Sequence, residues 1–365
     1  MKNILNAGNH PVTITNAPED ALRSLLAGMA PAPERLFVLC DEHTSRYCHP
    51  VVEAALPSDH LRIVTGAGER NKTLHTATTI WEFLLSHQAG RNAVMLNLGG
   101  GMVTDLGGFA AALFKRGIRF INMPTSLLAM VDASCGGKTG VDLNHYKNMV
   151  GLFSVPQDVI VSPVFLSTLP ESEWRNGMAE ILKHGLIADA GLWKAVADVL
   201  LREDTFGSYN QWPVMDWIER AIAVKAEIVT LDPYEHNERK LLNFGHTIGH
   251  ALETRSLQHD DTPLSHGMAV ACGMICEAYI SSKLTGLSVP ELDDIADTIV
   301  HVFRPASIRK ETWPEIIHIM KADKKSSAGS ITFSLLRETG AAVLHRGVDA
   351  GLLHESFHFF NSRVV

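Results

Sequence analysis

Cysteine is sparse in this chain of 365 residues, and the five present, Cys40, Cys48, Cys135, Cys272 and Cys276, are odd in number and widely scattered. A disulfide-stapled secreted scaffold needs an even, closely spaced set, so that class is excluded and a reducing cytoplasm is expected. Basic excess is missing too. The net charge of −8 argues against nucleic acid or an anionic membrane as the main partner, because both attract basic surfaces. Long apolar runs are also absent. The longest, GMAVACGMICEAYI from Gly267, contains Glu277 and falls short of the roughly 18 residues that suggest a membrane span. The opening MKNILNAGNHPV lacks a basic start followed by an apolar run, so no secretory leader is expected. Neither an internal repeat nor a low-complexity linker is found. What remains is ordinary globular composition, 46% apolar and 20% charged, in a chain long enough for about two domains.

The first half alternates β-branched runs with helical stretches, the pattern of a mainly parallel sheet built from βαβ units. Strands are expected at Arg35–Cys40, Leu61–Thr65, Ala93–Leu98, Arg119–Met123 and Asp158–Val161. Several run directly into Asp41, Gly66, Gly99 or Pro124, and open α/β sheets take ligands at such carboxyl ends. After about Leu166 long helical patterns dominate. The spacing therefore predicts an α/β Rossmann-like domain over residues 1–165 and a mostly α-helical domain over 166–365. Ile218, Ile222, Lys225 and Val229 share one helical stripe, which puts Lys225 in a core-facing slot. Cys272 and Cys276, four apart in an apolar helix, read as core. Ile331–Leu336 and Ala341–His345 flank the turn-prone RETG and read as a hairpin.

Three segments carry chemical potential. Gly99, Gly100 and Gly101 follow an apolar strand and precede a helix expected near Val103, where glycines let a pyrophosphate approach the helix N-terminus. The order is not G-x-G-x-x-G, so spacing alone leaves a tight structural turn equally open. CGGKTG from Cys135 ends like a phosphate loop but has Asp132 where that signature needs glycine, which disfavours an ATPase. In NFGHTIGH, His246 and His250 stand four apart and would face one side of a helix, as paired zinc ligands do. Glu180 and Lys183, three apart, share another helical face, and Arg239 and Asn243 lie just before His246.

Together these segments resemble the 3-dehydroquinate synthase family of sugar phosphate cyclases. The motifs GGGMVTDLGGF, FKRG, PTSLLAMVDASCGGKTG, TLPESEW, NGMAEILKHG, RKLLNFGHTIGHALE, HG and DKK occur in that family's order and span most of the chain. The resemblance implies that Glu180, His246 and His266 hold a divalent metal, zinc with cobalt as a possible substitute. His250 then leaves the metal shell for the substrate. NAD is implied against Asp41, Glu69, Lys72, Gly100, Gly101, Asp105, Thr125, Ser126, Asp132, Lys138, Lys147, Thr168 and Leu169. Catalytic and substrate contacts are implied at Asp132, Lys138, Asn148, Lys183, Lys225, Glu235, Arg239, Asn243, His250, Lys324 and Lys325, with Arg116 entering from the partner of a homodimer.

The activity so implied converts 3-deoxy-D-arabino-heptulosonate 7-phosphate to 3-dehydroquinate, by transient oxidation, phosphate elimination, reduction, ring opening and aldol closure. An anionic sugar phosphate explains why an acidic protein would keep fixed cations inside. The chain departs from the family pattern at Asp142, Tyr146 and Ser172, which touches the cofactor edge of the site. Three rivals are weighed: a metal-dependent alcohol dehydrogenase, a cyclase acting on a neutral heptulose phosphate, and a catalytically silent NAD-binding or interaction protein, which the full set of metal and substrate positions disfavours. Retained Asn243, His250 and the lysine pair favour the carboxylate-bearing substrate. Methionine in place of Lys225 is expected to leave folding intact or improve it while sharply lowering turnover.

Overall fold

The computed structural model describes residues 2–8, 10–143, 146–202, 212–323 and 331–364. Two compact units result, Met1–Glu173 with Lys225–Tyr234, and Trp174–Val224 with Glu235–Val365. The first unit runs β1 (Lys2–Ala7), β2 (His10–Thr15), α1 (Pro18–Gly28), β3 (Leu36–Asp41), α2 (Glu42–Tyr47), α3 (His49–Val52), β4 (Leu61–Thr65), α4 (Leu74–Ser86), β5 (Val94–Gly99), α5 (Gly101–Leu113), β6 (Arg119–Pro124), β7 (Lys138–Leu143), β8 (Tyr146–Phe153) and β9 (Val159–Val161). Seven strands form one sheet in the order β1-β2-β9-β6-β5-β3-β4, parallel except for β1. The β1–β2 pair and the separate β7–β8 hairpin add to the five strands expected from the sequence.

Strands β3 and β5 are buried along nearly their whole length, so they read as continuous apolar runs rather than alternating ones. Each fully buried Val, Leu or Met there contributes roughly 1.5–3 kcal/mol. Phe37, Leu39, Met95, Ile80, Leu84, Leu106 and Phe109 pack α4 and α5 onto the sheet as one core. α5 lies close enough that a Cβ at Gly107 would come within 2.0 Å of Asn97 Oδ1. Asn97 itself donates from Nδ2 to Asn122 Oδ1 across β5 and β6 at 2.9 Å, which gives the nitrogen of a buried amide a partner while its Oδ1 accepts none. Strand order reverses between β3 and β5, so Asp41 and Gly99 end the two strands that border the switch point.

The second unit takes most of α6 (Glu171–Ala188), α7 (Ala190–Leu200), the first part of α8 (Val214–Leu231), α9 (His246–His259), α10 (His266–Leu284), α11 (Val289–Phe303), α12 (Trp313–Asp323), the hairpin β10 (Thr332–Glu338) and β11 (Ala341–Arg346), and α13 (Ala350–Arg363). The stripe on α8 is as its spacing predicts: Ile218, Ile222, Lys225 and Val229 are all buried. All five cysteines are free and buried. Burial pushes the thiols of Cys40, Cys48 and Cys272 up to about 12, which keeps them unreactive. Among the described residues no helix is long and apolar enough to cross a membrane.

Candidate active site and metal centre

Glu180 and Lys183 sit on one face of α6 and are 0% and 1% exposed, and Lys183 Nζ donates to Glu180 Oε2. α9 begins with His246 and α10 with His266. Their Nε2 atoms lie 3.4 Å and 3.7 Å from Glu180 Oε1, a buried oxygen that accepts no hydrogen bond. Leaving such an oxygen without a partner costs on the order of 1–3 kcal/mol. A cation would relieve it. The other face of each ring is already engaged: His246 Nδ1 lies 3.1 Å from the Phe244 carbonyl, and His266 Nδ1 lies 3.3 Å from Glu253 Oε2. Such contacts fix the tautomer and aim Nε2 at a common point. One ligand atom from each of Glu180, His246 and His266 falls within 4.8 Å of the others.

The charge states suit a divalent ion. Burial opposes ionisation of Glu180, but Lys183, His246 and His266 outweigh it and hold the carboxyl well below its usual range. Burial, reinforced by Lys183, holds His246 well below its ordinary value, so that ring is neutral. At His266 burial is overcome by Glu180 and Glu253, which raise it to about 9. An ionised carboxylate and neutral imidazoles are what such an ion takes up, so these residues fit the group once His266 gives up a proton.

His250 is exposed one turn beyond His246, with ring centroids 5.1 Å apart. Helical spacing pairs these two, yet among the described residues no cluster able to hold an ion joins them. His250 instead groups with Glu253 and His266 in a second set whose ligand atoms lie within 4.8 Å of one another. Just before α9, a tight turn over Glu238–Asn243 carries buried Arg239, and Asn243 Nδ2 donates to Glu235 Oε1 at 2.8 Å.

In the first unit most of the residues implied for NAD come just after the carboxyl ends of parallel strands in the chain. Asp41 ends β3, Glu69 and Lys72 follow β4, Gly100, Gly101 and Asp105 follow β5, Thr125 and Ser126 follow β6, and Thr168 and Leu169 follow β9. α5 begins at Gly101, two residues before the start expected from the sequence, and no side chain caps it. A Cβ at Gly100 would come within 3.3 Å of Ser126 Oγ. Buried Lys72 ties several of these residues together, donating to Asp105 Oδ2 at 2.7 Å, Asn148 Oδ1 at 2.6 Å and Glu69 Oε1 at 3.4 Å. Burial works against the Lys72 charge, but Asp105 and Glu69 outweigh it and hold its pKa above the ordinary value.

The departure at Asp142 keeps a useful atom. Its Oδ1 accepts the Asn148 N–H at 2.8 Å, holding Asn148 at φ +55, and an asparagine oxygen could accept the same bond. Ser172 is exposed in the first turn of α6. Of Tyr146 only the backbone, in β8, is described.

Lys225 Nζ donates to the Asp132 carbonyl at 2.7 Å and to its carboxylate. This corrects the expectation that methionine at 225 would leave folding intact, because the substitution would strip a half-buried carboxylate of its cation. Lys138, Lys147, Arg116 and Thr168 are exposed. Lys138 opens strand β7 rather than a helix, so CGGKTG is not a phosphate loop. Arg116 lies in a turn after α5 at φ +70. Lys324 and Lys325 fall outside the described residues. Sequence reasoning missed Glu253, although His246, His250 and Glu253 follow one another at helical spacings of four and three.

A parallel α/β unit together with a mainly helical unit is the fold of the sugar phosphate cyclases. The 2-epi-5-epi-valiolone synthase of Streptomyces hygroscopicus, solved with NAD+ and Zn2+ bound, has the same fold over 99% of both chains, at TM-score 0.83 and 26% identity. A 2-deoxy-scyllo-inosose synthase complexed with carbaglucose-6-phosphate, NAD+ and Co2+ shares it at TM-score 0.82 and 23% identity, over 98% of this chain and 99% of that one. Residues 62–176 match the 3-dehydroquinate synthase N-terminal family model, and residues 177–326 the C-terminal one. The 3-dehydroquinate synthase of Parabacteroides distasonis is 40% identical over 328 residues, 90% of this chain and 91% of that protein. The chain belongs to the 3-dehydroquinate synthase family, a family of lyases.

Proposed function

We propose that this chain carries out the 3-dehydroquinate synthase reaction, releasing phosphate from 3-deoxy-D-arabino-heptulosonate 7-phosphate and closing the carbocycle of 3-dehydroquinate, a step of the shikimate route to aromatic amino acids. The observation that carries this reading is the buried Glu180–His246–His266 cluster, with its unbonded oxygen and adjoining Lys183, in a chain of this family. We assign NAD to residues 1–165, and metal and substrate mainly to 166–365, in a cytoplasmic homodimer.

When bound, NAD supplies reversible hydride acceptance and the divalent ion, zinc or cobalt, supplies Lewis acidity at a substrate oxygen. Glu180, His246 and His266 would hold the ion, with Lys183 keeping Glu180 ionised. Gly100 and Gly101 let a pyrophosphate approach the N-terminus of α5, whose dipole favours an anion. Lys72, held by Asp105 and Glu69, donates to the Asn148 side chain and so orients it. Buried Lys183, Lys225 and Arg239 supply fixed positive charge for the phosphate and carboxylate of the substrate, worth more in a water-poor site than in bulk solvent. Asn243 and His250 add orienting bonds, and Arg116 would come from the second subunit.

A dehydrogenase acting on a neutral alcohol has no use for so many buried cations. The closer alternative is a cyclase whose heptulose phosphate lacks the carboxylate. Steady-state phosphate release from the heptulosonate and from sedoheptulose 7-phosphate separates the two. A kcat/KM at least a hundredfold higher for the carboxylate-bearing substrate is expected, and equal values would overturn the proposal.

A further inference from the structure

Glu277 is the one charged residue of the apolar stretch from Gly267 to Ile280, and nothing above uses it. It is fully buried in α10. Its carboxylate accepts two backbone N–H groups from the neighbouring helix, Oε2 that of Gly245 at 2.7 Å and Oε1 that of Ile248 at 3.0 Å. These bonds bracket the first turn of α9, the turn that starts with His246.

That turn has no cap of its own. The N-cap position is Gly245, at φ +78, and no N-cap side chain bonds the first N–H groups. Serine, threonine, aspartate or asparagine normally does so from within the same segment. Here a residue 32 positions away takes over, and its charge also meets the positive end of the helix dipole. Close backbone contact makes the reach short enough. Gly273, one turn before Glu277 on the same face of α10, sits where a Cβ would come within 1.9 Å of the Gly245 carbonyl oxygen.

We propose that Glu277 is a positioning residue for the metal centre, clamping the 244–248 backbone so that His246 Nε2 stays directed at Glu180. The link is continuous: Glu277 holds the Gly245 and Ile248 amides, and the Phe244 carbonyl of the same segment engages His246 Nδ1. Glu277 acts through backbone and touches neither substrate nor ion. The inference rests on His246 being a metal ligand.

The test compares the full-length metal-free chain with Glu277→Gln, Glu277→Asp and His246→Ala. Zinc affinity is read by chelator competition, and amide hydrogen exchange is followed at 245–249 and in the remote helices α7 and α13. Glutamine keeps the volume but turns a donor toward one of the two N–H groups. It should weaken zinc binding about tenfold or more, the usual effect of losing an outer support, and speed exchange at 245–249 alone. Aspartate, charged but one methylene short, should recover part of the affinity. Zinc affinity within twofold of wild type in Glu277→Gln, with His246→Ala having lost zinc, would overturn this proposal and leave the ligand assignment standing. Wild-type affinity in His246→Ala would sink the ligand assignment and this inference with it. Faster exchange throughout, or failure of both Glu277 variants to fold, would show a global structural role and also overturn it.

Discussion

Zinc entering the metal-free protein near neutral pH should expel one proton, and that proton should come from His266. Glu180 is already ionised and His246 already neutral, so neither has a proton to lose. His266 opposes burial with two carboxylate neighbours and reaches about 9, so at pH 7 about 99% of it is protonated, two units below that value. Metal taking Nε2 must displace this proton. Apparent affinity should therefore rise about tenfold per pH unit from pH 7 and level off near pH 9, a total gain of roughly a hundredfold. Calorimetric titration in buffers of differing ionisation enthalpy counts the protons, and chelator competition gives the slope. Glu253→Gln removes one of the two supports and should move the plateau to lower pH. The same shift bears on folding without metal: a pKa raised above the unfolded value near 6.5 stabilises fully below that pH, and the contribution is lost as pH rises through about 9. Release of under half a proton at pH 7, or affinity flat across this range, would refute the reasoning.

Metal analysis of purified variants should find zinc lost from Glu180→Ala, His246→Ala and His266→Ala but kept in His250→Ala; loss in the last would restore the pairing that helical spacing suggests. Lys225→Met should lower stability by about 1–3 kcal/mol in denaturant melts, less than the cost of breaking a fully buried pair because Asp132 is 27% exposed, and should abolish turnover; full activity would remove Lys225 from the site. Equal mixtures of Arg116→Ala and Lys183→Ala chains, co-expressed, should regain about a quarter of wild-type activity if each site of a two-fold dimer takes Arg116 from its partner. Activity no higher than that of the parents would place Arg116 elsewhere.

The central strands were legible because β3 and β5 are buried on both faces and carry uninterrupted apolar runs. β1 was not, since Lys2, Asn3 and Asn6 break the pattern of an antiparallel edge strand. Lys225 announced itself as a charge within an apolar stripe, yet its partner Asp132 lies in a helical turn, Ala129–Ala133, far away in sequence. Local periodicity could only pair His246 with His250. The cluster needs α6, α9 and α10 to converge, so only the family pattern pointed to Glu180 and His266. Glu277 had no local signal beyond its charge, because its task depends on two helices meeting at glycine.

Following phosphate and NADH together during turnover tests the proposed activity most directly. The heptulosonate phosphate equals dehydroquinate plus phosphoric acid in composition, so the conversion is redox-neutral overall. Purified protein with zinc and substoichiometric NAD should release phosphate equal to the substrate consumed, with no lasting absorbance from NADH. Accumulation of NADH in step with substrate loss, or loss of substrate without free phosphate, would contradict a synthase and point to a dehydrogenase.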